Sequence, residues 1–289
     1  MPSNQIQWFP GHMAKTRRLI LENLSSVDII LEILDARIPY SSKNPEIDRM
    51  IDIKPHIIIL NKSSLADSHA TSVWISYYRK ALQNEISVIA ADCITGEGFS
   101  SIASEIRRVL SDKIEHLKQK GVERPLRAMV VGIPNVGKST IINKMTGAKK
   151  AAAENRPGVT LTKQWVRTKD GFDLLDMPGV LWPKFEDKTV GENLAATGAI
   201  KDTLIFSDEI ALTLIGKLKK AYPELLNKRY KITDEEFAGS EDNYTLFCLI
   251  AKKRGLLISG GEPDTDRCAA MLLDEFRSGK IGRITLEFP

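Results

Sequence analysis

Residues Gly132-Ile133-Pro134-Asn135-Val136-Gly137-Lys138-Ser139 fit the pattern G-x-x-x-x-G-K-[ST], and no other stretch constrains the fold as tightly. The apolar run 126–131 leads into it as a strand, and 139–145 continues out of it as a helix. Glycines there let backbone N–H groups curl around a β-phosphate, and the helix N-terminus adds favourable dipole charge. Lys138 is placed to reach the β- and γ-phosphates and the Ser139 hydroxyl to ligate Mg²⁺, while Asn135, Val136, Gly137 and Thr140 line the same loop. The plain alternative is a glycine-bearing turn between a strand and a helix, which the strand–loop–helix context disfavours. The expected fold class is α/β, and the expected ligand a nucleoside triphosphate.

With 289 residues, the chain has room for one such domain and a smaller one. A hydrophobic share of 43% and a charged share of 27% describe an ordinary globular composition, and no apolar run approaches a membrane span. Cys93, Cys248 and Cys268 are isolated, and the four histidines do not cluster, so no zinc spacing is present. The net charge of +4 is compatible with a nucleic-acid partner without demanding one. The first 18 residues are basic and acid-free, as in a transit peptide, but Trp8-Phe9-Pro10-Gly11-His12 makes a poor amphipathic helix. A cytoplasmic monomer with no membrane partner is expected.

Downstream, 172–175 reads as a short strand ending in Asp176-Met177-Pro178-Gly179. An acidic residue at a strand end supplies the second Mg²⁺ contact of a P-loop enzyme, and the Gly179 N–H is suited to meet a γ-phosphate. Between the two motifs, Arg156-Pro157-Gly158-Val159-Thr160 offers Thr160 to complete the Mg²⁺ shell. The base-reading N-K-x-D motif of a GTPase should follow these elements. Here its counterpart precedes them: the strand pattern 57–60 ends in Asn61-Lys62-Ser63-Ser64, and the strand pattern 86–91 leads to the base-closing loop Asp92-Cys93-Ile94-Thr95-Gly96-Glu97-Gly98. The order is that of a circularly permuted GTPase, which is tolerable because spatial contacts survive while the termini move. Permutation sends the chain from the second switch directly into the C-terminal part, so a γ-phosphate-dependent shift is expected to pass there. An identical C-terminal hydrogen-exchange pattern with GDP and a GTP analogue would rule this out.

Trp8–Lys15 (WFPGHMAK), Asp35-Ala36-Arg37-Ile38-Pro39, Asn61-Lys62, the phosphate loop, Asp176–Gly179, Trp182-Pro183-Lys184, Thr197-Gly198-Ala199-Ile200-Lys201 and Gly282-Arg283 together resemble the ribosome biogenesis GTPase A (RbgA/YlqF) family, nearly end to end. The resemblance implies a permuted GTPase domain over 1–182 and a helical, rRNA-binding domain over 183–289. It also implies a GTP/GDP switch in late assembly of the large ribosomal subunit, with the subunit precursor and its rRNA as partners and hydrolysis stimulated by the particle.

Many GTPases orient the attacking water with a glutamine where this chain has Val180. The family resemblance points instead to His12, whose neutral imidazole is suited to accept a proton; a structural histidine on a glycine turn is the alternative. In related permuted GTPases an asparagine at the position of Asn135 resembles a K⁺ ligand, against the alternative of a loop-capping residue. Ser64 stands where the family has aspartate, the carboxylate that reads guanine N1–H and the exocyclic amine. Its loss should cost about 2–4 kcal/mol of guanine preference. Asp67 lies three residues on as a possible substitute, and Asp92-Cys93 departs from the usual Ser-Ala. A weakly hydrolysing, nucleotide-gated RNA-binding module and a switch with relaxed ATP/GTP choice therefore stay open beside the slow GTPase.

Helical periodicity fills the C-terminal part: 209–221, 242–253 and 264–278 form three amphipathic segments, read as a small bundle, and 102–120 reads as one linker helix. Lysines and arginines close these segments, and Lys228-Arg229-Tyr230-Lys231 lies between two of them. Favourable helix-dipole interaction accounts for each cluster singly. Taken together they suit a salt-sensitive, rRNA-facing surface.

Overall fold

In the computed structural model, which describes residues 10–51, 54–82, 86–147, 164–182 and 185–289 (backbone alone for 10–13), six strands form one sheet. They are β1 (Ile29–Asp35), β2 (His56–Asn61), β3 (Ser87–Ala90), β4 (Arg127–Val131), β5 (Gln164–Arg167) and β6 (Asp173–Asp176). Their spatial order is β3-β2-β1-β4-β6-β5, and every pairing is parallel except β5 with β6. β1 and β2 are buried at every position, as strands covered on both faces must be, which is why they read as unbroken aliphatic runs. Edge strand β5 exposes all but Val166 and closes a hairpin with β6.

Helices α1 (Pro10–Leu24), α2 (Pro45–Ile51), α3 (Ser68–Ala81), α4 (Ser101–Val109), α5 (Ser111–Gln119) and α6 (Lys138–Thr146) cover the sheet. The strands on either side of β4 come from opposite halves of the chain: β1, β2 and β3 precede it, whereas β5 and β6 follow. This is the permuted arrangement, with the ligand-facing loops brought to the C-terminal edge of the parallel strands beside a point where strand order reverses.

Helix α1 begins with proline at its first position, where the missing N–H costs nothing. Two expectations need correction. The expected linker helix is two helices, broken at buried Leu110, whose backbone leaves helical geometry. Among the described residues the C-terminal part holds six α-helices rather than three: α7 (Lys188–Ala196), α8 (Ser207–Ala221), α9 (Pro223–Tyr230), α10 (Asp234–Ala238), α11 (Asn243–Lys253) and α12 (Thr265–Arg277). The signals for the extra ones were present as caps: Asp187 for α7, Pro223 at the start of α9, and a Thr233/Glu236 capping box for α10. At the centre lies α8, which buries Ile210, Ala211, Leu214, Ile215 and Leu218 and touches α7, α9, α11 and α12.

After α12 the chain turns back onto the first half. Ile284 N–H donates to Leu65 O (2.9 Å) and Leu286 N–H to Arg37 O (2.8 Å). The Arg283 guanidinium donates to Ala66 O (2.8 Å) and Ser63 O (3.0 Å). Glu287 accepts from Ser41 N–H (2.7 Å) and from Asn193 of α7 (2.9 Å). The final segment thus lies along the loops that follow β1 and β2.

Candidate nucleotide site

The phosphate loop leaves β4 at Val131 and enters α6 at Lys138. Gly137 has φ +95°, and a Cβ there would lie 2.3 Å from Asn61 Nδ2, so only glycine fits. Asn135 also takes a left-handed backbone, φ +60°, a conformation asparagine tolerates better than most residues. Buried Lys138 folds onto its own loop, donating to Gly132 O (3.1 Å) and Ile133 O (2.9 Å). Burial lowers its pKa to about 8, against the pull of Asp176. Gly179 sits directly above, where a Cβ would lie 2.6 Å from Lys138 Nζ and 2.9 Å from Pro134 N.

Ser139 and Asp176 come together as the Mg²⁺ reading requires. The hydroxyl bonds the carboxylate, whose pKa is raised by burial despite Lys138 and Ser139. Among the described residues, Asp176 Oδ1 is buried with no hydrogen-bond partner, the state of an oxygen kept for a cation. Ser139 and Asp176 therefore fit Mg²⁺. Thr140 is exposed in the first turn of α6. Thr160 and the His12 side chain lie outside the described residues.

The base loop is wired to the phosphate loop. Asn61 Nδ2 donates to Val136 O (2.7 Å), and Lys62 Nζ to Asn135 O (2.5 Å) and Asp35 Oδ2 (2.9 Å). Asp35 in turn holds Arg37 through Nε (2.9 Å) and Nη2 (2.7 Å). Arg37 and Lys62 hold the buried Asp35 carboxyl well below the usual range in spite of desolvation. The Asp35–Arg37 pair was visible in sequence only as part of a family resemblance; in the structure its carboxylate also holds the Lys62 ammonium, which reaches the phosphate loop at Asn135 O.

Ser64 and Asp92 meet across the two base loops, with Ser64 Oγ donating to Asp92 Oδ2 at 2.6 Å. Asp92 Oδ1 accepts from Ile94 N–H (2.7 Å) and Thr95 N–H (2.8 Å). Desolvation raises the Asp92 pKa, but these bonds outweigh it and leave the group below its ordinary value. The Cys93 thiol is packed in the core, its pKa pushed up to about 12 by burial, so only its backbone is offered to a ligand. Asp67 is not the substitute carboxylate. It caps α3 by accepting from His69 N–H (2.8 Å) and Ala70 N–H (3.1 Å), and its other oxygen faces Tyr222.

Two long-range contacts had no sequence signal. Asn135 Nδ2 donates to Gly198 O (2.6 Å), so this side chain bridges to the turn after α7 rather than merely capping its loop. Asn44 Nδ2 donates to Val180 O (3.1 Å), holding buried Val180 just past Gly179. The basic clusters are partly spent internally: Arg229 and Arg254 both bind Glu275, and Tyr230 is buried against it. Lys220, Lys228, Lys231 and Lys252 stay exposed.

A family model described as a 50S ribosome-binding GTPase matches residues 127–239. Ribosome biogenesis GTPase A of Priestia megaterium is 46% identical over 286 residues, covering 98% of this chain and 97% of that protein. The Thermotoga maritima protein of the same name is 32% identical over 290 residues, covering 98% and 95%. Among solved structures, GNP-bound YlqF from T. maritima superposes with a TM-score of 0.62 at 29% identity, covering 95% of this chain and 98% of that one. A GDP-bound YlqF structure gives 0.64 at 28%, covering 94% and 99%.

Proposed function

Because the chain belongs to the ribosome biogenesis GTPase A family and is a GTP-hydrolysing enzyme, we propose that it acts as a slow switch in late assembly of the large ribosomal subunit, with hydrolysis stimulated by the precursor particle. The observation that carries the switch reading is the joining of base loop to phosphate loop through Asn61 and Lys62, with Gly179 seated on Lys138. Base occupancy and phosphate geometry then share one network.

Ser139 and Asp176 would hold Mg²⁺, which when bound neutralises charge building between the β- and γ-phosphates. Thr160 would complete the shell. Asn135 is the residue suited to K⁺ through its amide oxygen, its amide nitrogen being given to Gly198. Asn61, Lys62, Ser64, Asp92, Cys93, the phosphate loop through Thr140, and Gly179 bind the nucleotide. His12 is assigned the water-activating role. Its backbone lies in the first turn of α1, and α1 is joined to β1 by a short loop and packs Ile20 and Leu24 against the sheet. A helix of that length spans about 22 Å, about the length of a seven-residue strand such as β1, which supports the reading. Val180, buried and held by Asn44, offers no group for this task.

We divide the chain into a nucleotide domain, 1–182, and a helical domain, 183–289, whose exposed Lys220, Lys228, Lys231 and Lys252 face rRNA; a cytoplasmic monomer is the working form. Phosphate release should rise when precursor large subunits are added, and His12→Ala should abolish that rise while leaving GDP affinity intact. A second reading, a nucleotide-gated RNA-binding module with little hydrolysis, is favoured by Val180. It prevails if particles bind in a GTP-dependent manner without accelerating phosphate release.

A further inference from the structure

At position 64, where a guanine-reading loop carries its carboxylate, this chain has a hydroxyl; at position 92, where the closing loop commonly carries a hydroxyl, it has a carboxylate. The two side chains have exchanged chemistry, and they touch: Ser64 Oγ donates to Asp92 Oδ2 at 2.6 Å. Asp92 cannot turn outward to replace the missing carboxylate. It is 2% exposed, Oδ1 is filled by the N–H groups of Ile94 and Thr95, and the Ser64 backbone N–H also points at the carboxylate. What this arrangement fixes is the Ser64 proton. A free serine hydroxyl serves as donor or acceptor, and so accepts either purine. Once its one hydrogen is committed to Asp92, Ser64 Oγ has only lone pairs left to offer.

We propose that Ser64 and Asp92 form an inverted base-recognition pair: Asp92 holds the Ser64 proton, and Ser64 Oγ, now an obligate acceptor, takes the N1–H of guanine. Adenine presents an acceptor at N1, so lone pair would face lone pair and the base is refused. Ser64 is the specificity residue and Asp92 its positioning residue. The proposal rests on the GTPase reading above and extends it in one respect. A lone oxygen serves N1–H well and the 2-amino group poorly, whereas a carboxylate serves both. Hypoxanthine, which keeps N1–H and lacks the amine, should therefore bind almost as well as guanine.

The test is calorimetric titration of the full chain with GDP, IDP and ADP. In the wild type, GDP should exceed ADP by at least about tenfold, with IDP within about threefold of GDP. In Asp92→Asn the amide oxygen stays with the Ile94 and Thr95 N–H groups, so the NH₂ meets Ser64 and turns its proton outward. The GDP/ADP ratio should fall about tenfold. Ser64→Asp alone sets two carboxylates in contact and should weaken GDP binding. Adding Asp92→Ser to it should restore GDP binding and now separate GDP from IDP by about tenfold. That rescue keeps the proposal testable even where Asp92→Asn melts early. A folded Asp92→Asn protein with an unchanged GDP/ADP ratio overturns the proposal, as does tighter GDP binding in Ser64→Asp alone. A wild type that binds neither GDP nor IDP overturns the GTPase reading along with it; normal GDP binding with an unmoved ratio overturns the pair alone.

Discussion

Gly137→Ala probes the junction on which both nucleotide loops depend. At φ +95° the added Cβ costs about 1–2 kcal/mol of backbone strain. It also lies 2.3 Å from Asn61 Nδ2, so the Asn61 amide must withdraw by about an ångström to reach ordinary contact. Withdrawal breaks the 2.7 Å bond from Asn61 Nδ2 to Val136 O, in a region where Asn61 is 2% exposed. Leaving that buried donor and acceptor unpaired adds about 1–3 kcal/mol. The sum, about 2–5 kcal/mol, weakens the fold around this junction and is set against GDP binding where nucleotide requires the loop in this shape. GDP affinity should therefore fall by at least about 30-fold, the equivalent of the lower bound. The assay is GDP titration in parallel with thermal melting, on Gly137→Ala and on Gly137→Ala with Asn61→Gly. The second change removes the clash but not the strain, so melting temperature should recover in part while GDP affinity does not. GDP binding within threefold of wild type in Gly137→Ala would refute the reasoning, because neither the strain nor the severed bond would then reach the ligand.

Two further outcomes follow from other parts of the molecule. Asp28 is buried and bonded to Arg124, Lys113 and Arg127 N–H, which hold its pKa well below the carboxylate range despite desolvation. The unfolded state therefore takes up the proton first as pH falls, so this contribution is present above about pH 4 and lost below it. Asp28→Asn should cost about 2 kcal/mol at pH 7, the partners being half-exposed, and flatten the stability loss between pH 4 and 3 in urea melts. At the other end of the chain, Arg283→Ala removes two bonds from an exposed guanidinium to Ser63 O and Ala66 O. The loss of about 1 kcal/mol should speed dissociation of a fluorescent GDP analogue about fivefold, and an unaltered off-rate would show that the tail does not brace the base loop.

The parts of this fold that repeat a chemical requirement were legible in sequence. Parallel strands buried on both faces demand aliphatic runs, so 57–60 and 126–131 stood out, and the phosphate loop announced itself through glycines that only a left-handed turn needs. What escaped was long-range and backbone-directed. Asn135 donating to Gly198 O, Asn44 to Val180 O and Arg283 to Ser63 O all use carbonyls as acceptors, which every residue carries, so no residue type marks the receiving end. Asp67 misled for a related reason: three residues past Ser64 it suited a substitute carboxylate, yet its position immediately before α3 makes it a helix cap first. Ser64 and Asp92 were each read as a separate departure, and only their 2.6 Å contact joins the two.

Permutation gives these long-range contacts their meaning. With the phosphate loop mid-chain, the segment after Gly179 does not lead on into the base loop, which precedes it in sequence. Noncovalent contacts make the connection instead. Val180 is held by Asn44, in the loop after β1; Gly198, past α7, receives Asn135 of the phosphate loop; and the final residues run beside 63–67. Arg277 secures the Gly198 turn from α12, binding Ala195 O (2.9 Å), Ala196 O (3.0 Å) and Asp202. Arg37, fixed by Asp35, donates in turn to Arg277 O (3.3 Å). Asp35 thus sits between Lys62 on the nucleotide side and Arg37 on the helical side, two cations sharing one buried carboxylate. Lys62, Asp35, Arg37 and Arg277 of α12 thus form one continuous line of contacts. Among the described residues the helical part therefore meets the phosphate loop at Gly198 and the base loop along 63–67, and Ser64 joins the closing loop 92–98 to the latter.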